Sequence, residues 1–310
     1  MTGGPVLVAG CGAVGSVFAC LLAADGCEIH VLGRGDHLEA MADRAVRLDG
    51  IWGERSARVA RAVGSAADLD RDYATIFVAC KSFQTERMLA ELGPRRLAAG
   101  GAAISLQNGL GNREKLAAVF GDARSLAGRV IFGAEIVAPG HVRVTVEAEP
   151  VLIGHPGGAN EHAEQWAQRL VRAGIRTTAT AHILAALWGK VFYNAALNPM
   201  GALLRLRYGE LAADPTRREV MNRIIAEAFA VARAEGVQMS WPDTKAYLKH
   251  FHDTLLPATA AHRSSMLQDL ERGRPTEIDA ICGEICRRGD AAGVDVATNR
   301  LLWALLRGGD

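Results

Sequence analysis

The sequence predicts an α/β domain followed by an all-helical one. Three observations carry the prediction. Short apolar runs alternate with helical patterns through residues 1–181, a glycine-rich turn joins the first run to the first helix, and the strand pattern stops at His182. A chain of 310 residues suits two domains, here 1–181 and 182–310. A hydrophobic content of 49% with 22% charged residues describes a globular protein. The net charge of +1 implies no general attraction to nucleic acid or to an anionic membrane.

Val6-Leu7-Val8-Ala9 reads as a buried strand and runs into Gly10-Cys11-Gly12-Ala13-Val14-Gly15. A helical pattern through Phe18, Leu21 and Leu22 follows, then a second strand, Glu28 to Leu32. This βαβ order gives a GxGxxG its meaning as a dinucleotide site. Gly10 permits the tight turn, Gly12 lets backbone approach a pyrophosphate, and Gly15 lets helix pack on strand. The helix N-terminus then holds the phosphates. The end of the second strand sets the cofactor. An acid there binds the ribose of NAD, but the sequence reads Leu32-Gly33-Arg34-Gly35-Asp36. Arg34 is placed to meet a 2′-phosphate, so NADP(H) is expected. Asp36 is the competing candidate for a ribose, and a solvated loop charge is the plain alternative for Arg34.

Arg47 to Gly50 and Ser56 to Val63 read as short strands around a turn, and Thr75 to Cys80 as a buried strand ending at Lys81. Ala102 to Leu106 is another, ending at Gln107-Asn108-Gly109-Leu110-Gly111. Ligands of open α/β sheets lie outside the carboxyl ends of strands, where Lys81 and Asn108 fall. As turn residues alone they would carry no chemistry. Strand patterns with a Pro139-Gly140 turn cover Ser125 to Thr145. An amphipathic helix from Glu161 to Arg172 separates two more strands, Val151 to Ile153 and Ile175 to Thr180.

Beyond the junction, helices are expected over 182–198, 216–235, 244–252, 276–292 and 299–307. The first carries Lys190, Asn194 and Asn198 at i, i+4, i+8, which aligns an ammonium and two carboxamides along one side. Pro199 should kink or end this helix at Asn198. A lysine among apolar neighbours either snorkels to water or is functional. Thr276 is a candidate helix cap. Glu277 and Asp279 then either favour that helix's first turn or supply an ionic partner for Lys190.

Six cysteines, at 11, 20, 27, 80, 282 and 286, form no CxxC. Buried reduced thiols are expected rather than zinc ligands or disulfides, which suits a cytoplasmic location; no metal site is anticipated. Residues 5–24 are apolar, but no Lys or Arg precedes Arg34, so a secretory signal is not expected. No uninterrupted apolar run is long enough to span a bilayer.

Taken in order, five motifs make the chain resemble the ketopantoate reductase family (2-dehydropantoate 2-reductases and relatives). They are Gly10-x-Gly12-x-x-Gly15; Lys81-Ser82-x-Gln84-Thr85; Gln107-Asn108-Gly109-Leu110-Gly111; and Trp188-x-Lys190-x-x-x-Asn194-x-x-x-Asn198-Pro199. The fifth is Ser264-Ser265-Met266-Leu267-Gln268-Asp269, followed by Arg274-x-Thr276-Glu277-Ile278-Asp279. The resemblance covers nearly the whole chain. It implies a Rossmann domain followed by a helical domain resembling the C-terminal domain of 6-phosphogluconate dehydrogenase. It implies hydride transfer from NADPH to a 2-oxo acid, most simply 2-dehydropantoate on the route to pantothenate. Carried over by motif, Lys190 is the catalytic general acid and Glu277 the acid supporting it. Asn108, Asn194, Asn198 and Ser265 contact substrate. Gly10 to Gly15 (including Cys11, Ala13 and Val14), Arg34, Lys81 and Asn108 lie with the cofactor.

His262 departs from the family pattern, standing where the pantothenate enzyme has a substrate-contacting asparagine, so a bulkier 2-oxo acid is also open. The partner implied is a small-molecule 2-oxo acid, with no nucleic acid and no membrane; a homodimer is compatible with the resemblance. Two alternatives remain in view. One is a D-2-hydroxyacid dehydrogenase acting on another branched or bulky 2-oxo acid. The other is a non-catalytic NADP-binding sensor, against which the intact Lys190 and Glu277 speak.

Overall fold

The computed structural model describes residues 4–308; the outermost residues of the two expected domains, 1–3 and 309–310, lie outside them. The chain divides into two compact units. One comprises the residues up to Gln107 with Asn112–Ile183, and the other Asn108–Gly111 with Leu184 onward. The loop Asn108–Gly111 therefore folds with the helical unit although its flanks belong to the first.

The first unit is built on an eight-stranded sheet. Its strands are β1 (Val6–Ala9), β2 (Ile29–Leu32), β5 (Arg61–Val63), β6 (Tyr73–Val78), β7 (Leu97–Ser105), β8 (Ser125–Arg129), β11 (Val151–Gly154) and β12 (Thr177–Thr180). Their spatial order is β12-β11-β8-β7-β6-β1-β2-β5, parallel throughout except between β8 and β11. The order reverses between β1 and β6, which makes their carboxyl ends the switch point where such sheets bind ligands.

Alternation along the strands separates the two faces. Val6 and Val8 pack in one core with Phe18, Phe77 and Trp166, which lie on α1 (Ala13–Ala24), β6 and α5 (Glu161–Arg172). Leu7 and Ala9 pack in the other with Met88, Leu89, Leu116 and Phe120, from α3 (Thr85–Leu92) and α4 (Asn112–Phe120). Trp166 meets Phe77 edge-on at 4.8 Å and donates its indole N–H to Thr75 Oγ1 at 3.0 Å. Its polar edge is thus satisfied inside the core.

A second sheet, in the order β4-β3-β10-β9, joins β3 (Val46–Gly50) and β4 (Arg55–Ala57) to β9 (Phe132–Ala138) and β10 (His141–Glu147). The strands themselves were anticipated, but not the parallel pairing of β10 with β3. The helix α2 (Asp36–Asp43) completes the unit.

The second unit contains α6 (Ile183–Leu204, its first residue still in the first unit), α7 (Tyr208–Ala212), α8 (Pro215–Ala234) and α9 (Thr244–His250). A π-helical turn, Phe251–Leu255, leads into α10 (Leu256–Ala258), and α11 (Ser265–Glu271), α12 (Cys282–Ala292) and α13 (Ala297–Leu306) follow. Trp188, Phe192, Phe229, Tyr247 and Phe251 form the aromatic centre of its core. Asp214 caps α8 and Asp243 caps α9, each accepting an N–H three residues on.

Three expectations are corrected. The helix does not end at Asn198: α6 runs through Pro199 and stops after Leu204, where Arg205 turns to φ 57°. A proline inside a helix costs about 3 kcal/mol, which burial of this largely apolar helix offsets. The helix expected over 276–292 starts only at Cys282, after a 3-10 turn, Ile278–Ala280. Thr276 accepts from the Ile278 N–H at the head of that turn rather than capping a long helix. The short α7 and α11 were not anticipated.

Candidate active site

In the first unit, each glycine of the turn meets a different constraint. Gly10 has φ 115°, and a Cβ there would stand 2.3 Å from the Cys80 nitrogen. A Cβ on Gly15 would stand 1.9 Å from the Gly10 carbonyl oxygen. These two are required by the protein's own packing. Gly12 is different: it is exposed, has φ −70°, and its Cβ would meet no atom within 4 Å. It caps α1 with no side chain on the helix N-terminus and no acid in the first turn. Open backbone at a bare helix N-terminus fits a dinucleotide pyrophosphate. Ala13 and Val14 are half-buried in the first turn. Cys11 is buried, and burial pushes its thiol above the ordinary range, so it stays protonated.

Arg34 extends from the end of β2 with its side chain 60% exposed, 3.8 Å from Glu91 on α3. Asp36 is the first residue of α2. Lys81 follows β6, half-buried, and its carbonyl accepts from the Gln84 N–H at 2.8 Å.

Three further residues hold this loop region, and sequence reasoning did not single them out for a role. Gln107 donates to the Cys80 carbonyl at 2.9 Å and to Thr85 Oγ1 at 2.7 Å, tying together the segments that leave β6 and β7. Ser16 lies on α1 and donates to the Cys11 carbonyl at 3.3 Å. His37 Nδ1 accepts from the Gly140 N–H at 3.0 Å, so Nε2 carries the proton toward Ser16 Oγ at 2.9 Å. Serine and histidine on helix faces carry no motif; only the fold shows this connection.

In the second unit, Lys190 donates to Asn108 Oδ1 at 2.6 Å, and Asn108 Nδ2 donates to Glu277 Oε2 at 3.2 Å. Two backbone features bring Asn108 there. The Leu110 N–H donates to the Ala280 carbonyl at 2.8 Å, and Gly109, at φ 84°, lies so close that a Cβ would sit 2.2 Å from that oxygen. The loop is thus pressed onto the 3-10 turn that follows Glu277. On the lysine side, Tyr247 donates to the Gly189 carbonyl at 2.9 Å, and Trp241 packs where a Gly189 side chain would stand. Glu277 is buried. Of the two acids expected to serve Lys190, Glu277 is linked to it through Asn108, while the exposed Asp279 accepts from the Trp303 indole at 2.6 Å.

Asn194 and Asn198 follow Lys190 by one and two turns. Asn194 is 7% exposed, and its carboxamide makes no hydrogen bond among the described residues. Its polar atoms are not sealed from solvent, so both edges of the carboxamide are open to a ligand contact. Asn198 is held at both ends: Oδ1 accepts from Tyr208 Oη at 2.6 Å, and its main-chain carbonyl accepts from Ser264 Oγ at 3.0 Å. Ser264 also caps α11, which leaves the exposed Ser265 at the first helical position. The exposed His262 packs its ring 5.3 Å from Tyr208, and partial desolvation there holds its pKa below the ordinary 6.5.

Comparison with known proteins matches this architecture. The model of the family "Ketopantoate reductase PanE/ApbA" covers residues 6–158, and its C-terminal companion covers 182–310. A 2-dehydropantoate 2-reductase of Aquifex aeolicus is 34% identical over 303 residues, 97% of this chain and 95% of its own. The chain belongs to the ketopantoate reductase family. Among solved structures, a PanE/ApbA family ketopantoate reductase from Ralstonia eutropha superposes with a TM-score of 0.85 at 31% identity, covering 97% of both chains. D-Mandelate dehydrogenase with NADH and anilino(oxo)acetate gives a TM-score of 0.87 at 23% identity over 97% of both chains, a likeness of fold. As a ketopantoate reductase family member, this chain is an oxidoreductase with an NAD(P)-binding Rossmann domain and a helical C-terminal domain.

Proposed function

We propose that this protein reduces a 2-oxo acid with NADPH, 2-dehydropantoate to pantoate being the foremost reaction, with Lys190 as general acid. The observation that carries the reading is the bridged set Lys190–Asn108–Glu277. When bound at the Gly12 cradle, the nicotinamide cofactor supplies a hydride to the keto carbon. Lys190 stabilises the negative charge gathering on the keto oxygen and gives that oxygen its proton, leaving a 2-hydroxy acid. Asn108 accepts from the lysine and so orients its ammonium. Glu277 in turn fixes the Asn108 carboxamide by accepting from its nitrogen. Asn194, Asn198 and Ser265 offer oriented hydrogen bonds to the substrate without adding charge. Arg34, just past the end of β2, supports NADPH over NADH as a cation that could pair with a 2′-phosphate.

The test is a panel of 2-oxo acids, branched, aromatic and straight, each followed at the NADPH absorbance. Turnover highest with 2-dehydropantoate supports the full reading. A preference for bulkier acids moves the assignment to a 2-hydroxyacid dehydrogenase of the same chemistry. Silence across the panel, with NADPH still bound, would leave a dinucleotide sensor.

A further inference from the structure

We propose that Tyr208 is a positioning residue that commits the Asn198 carboxamide to act on substrate only as a hydrogen-bond donor. The inference rests on the reductase reading above and adds to it which kind of atom the substrate must present at this position.

A carboxamide is ambiguous as a recognition group, because rotation by half a turn exchanges its donor and acceptor edges. At Asn198 that ambiguity is removed. Its Oδ1 accepts from the Tyr208 hydroxyl at 2.6 Å, and the phenol is almost wholly buried. Burial pushes the Tyr208 pKa far up, so the hydroxyl keeps its proton. Asn198 Oδ1 is the one acceptor that this buried O–H meets among the described residues, so a turned carboxamide would strand the hydrogen. The ring cannot swing away easily. Tyr193 meets it edge-on at 5.9 Å and His262 packs at 5.3 Å, while the Tyr208 backbone N–H donates to the His262 carbonyl. The Asn198 main chain is fixed as well, by Ser264 Oγ. What remains is Nδ2, which has no protein partner among the described residues and is not sealed from solvent. A substrate atom meeting Asn198 therefore has to be an acceptor, as a carboxylate or carbonyl oxygen is. A hydroxyl or amine hydrogen would face another hydrogen.

The experiment uses the full chain with NADPH and its best 2-oxo acid, and compares Tyr208→Phe with Asn198→Asp. Tyr208→Phe removes one oxygen and keeps the ring. Its carboxamide is free to turn, so KM for the 2-oxo acid should rise about tenfold, with kcat changing less than about threefold and NADPH affinity unchanged. Asn198→Asp keeps the acceptor for Tyr208 but turns an oxygen toward an anionic substrate, and KM should rise by about a hundredfold or more. A merely structural Tyr208 would instead lower the thermal midpoint and leave KM where it was, which overturns the proposal. If Tyr208→Phe does not fold, Tyr208→Met, which also lacks a donor, takes its place with the same expected rise in KM. An unchanged KM in Asn198→Asp overturns the proposal too. Raised KM in Asn198→Asp with wild-type KM in Tyr208→Phe removes Tyr208 while leaving the reductase reading intact. A wild-type chain that turns over no 2-oxo acid removes both.

Discussion

Lys190 Nζ lies 2.6 Å from Asn108 Oδ1, although 82 residues separate them in sequence. The Asn108 carboxamide oxygen is thus one acceptor that orients the ammonium, and its Nδ2 donates in turn to the Glu277 carboxylate. A general acid contributes about 10²- to 10⁴-fold to rate. Lys190→Ala should lower kcat by at least about a hundredfold with NADPH affinity nearly unchanged; near-normal turnover would remove the lysine from the mechanism. Gly109→Ala should act as a milder version, because its side chain would push the loop off the Ala280 carbonyl and carry Asn108 with it. Steady-state kinetics of the two variants, with thermal midpoints alongside, make this comparison.

The glycine turn allows a sharper separation of folding from binding. At Gly15 an added methyl collides with backbone, so Gly15→Ala should lose stability heavily. At Gly12 the same methyl meets no protein atom and the backbone angle suits any residue. Gly12→Ala should melt close to wild type yet bind NADPH at least about tenfold more weakly, because the methyl occupies the approach of the pyrophosphate. Titration of NADPH by fluorescence checks it, and wild-type affinity in Gly12→Ala would move the phosphates elsewhere.

How much of this was visible beforehand follows from the range of the interactions. The βαβ unit, the helix Glu161–Arg172 and the i, i+4, i+8 row on α6 are local patterns, and each stands where its periodicity placed it. The passage of α6 through Pro199 was missed because a proline's local cost was weighed without the buried neighbours that offset it. The pairing of β3 with β10, the chain from Gly140 through His37 to Ser16, and the Tyr208 bond to Asn198 join segments whose encounter no local pattern encodes. Asn108 was legible as a polar residue just past a strand end. That it stands between Lys190 and Glu277 depends on Gly109 lying against Ala280, which only the fold reveals.

In the proposed reading, Arg34 selects the cofactor. Its guanidinium is mostly exposed, and its contact with Glu91 at 3.8 Å is a surface pair of little strength. The side chain thus yields readily to a stronger anion. A charge-assisted bond to a 2′-phosphate contributes about 1.5–3 kcal/mol. Arg34→Ala should therefore weaken NADPH by about tenfold or more and leave NADH nearly unaffected. Equal losses for the two cofactors, measured side by side, would contradict the 2′-phosphate role.

Acid should destabilise both units, and the histidines set where this begins. Desolvation is the leading cause that holds His30 and His37 in the first unit, and His252 and His262 in the second, below their ordinary value of 6.5. The folded chain therefore binds fewer protons than the unfolded chain as pH drops below about 6.5, and stability rises with pH across that range. The histidine contribution is fully present above the unfolded value and is lost as pH falls through the lowered folded ones. Paired carboxylates act in the same direction further down. Asp49 is held at about 2 chiefly by its hydrogen bond to Arg143, and Asp122 is lowered chiefly by Arg113, so their contributions fade only below about 3.8. Thermal midpoints measured from pH 8 to pH 5 should be level above about pH 7 and fall steadily below 6.5. Replacing His30, whose ring is buried against Tyr73, by Gln should flatten part of that slope while lowering the plateau. A midpoint that stays constant down to pH 5 would show that these imidazoles titrate alike in the folded and unfolded chain.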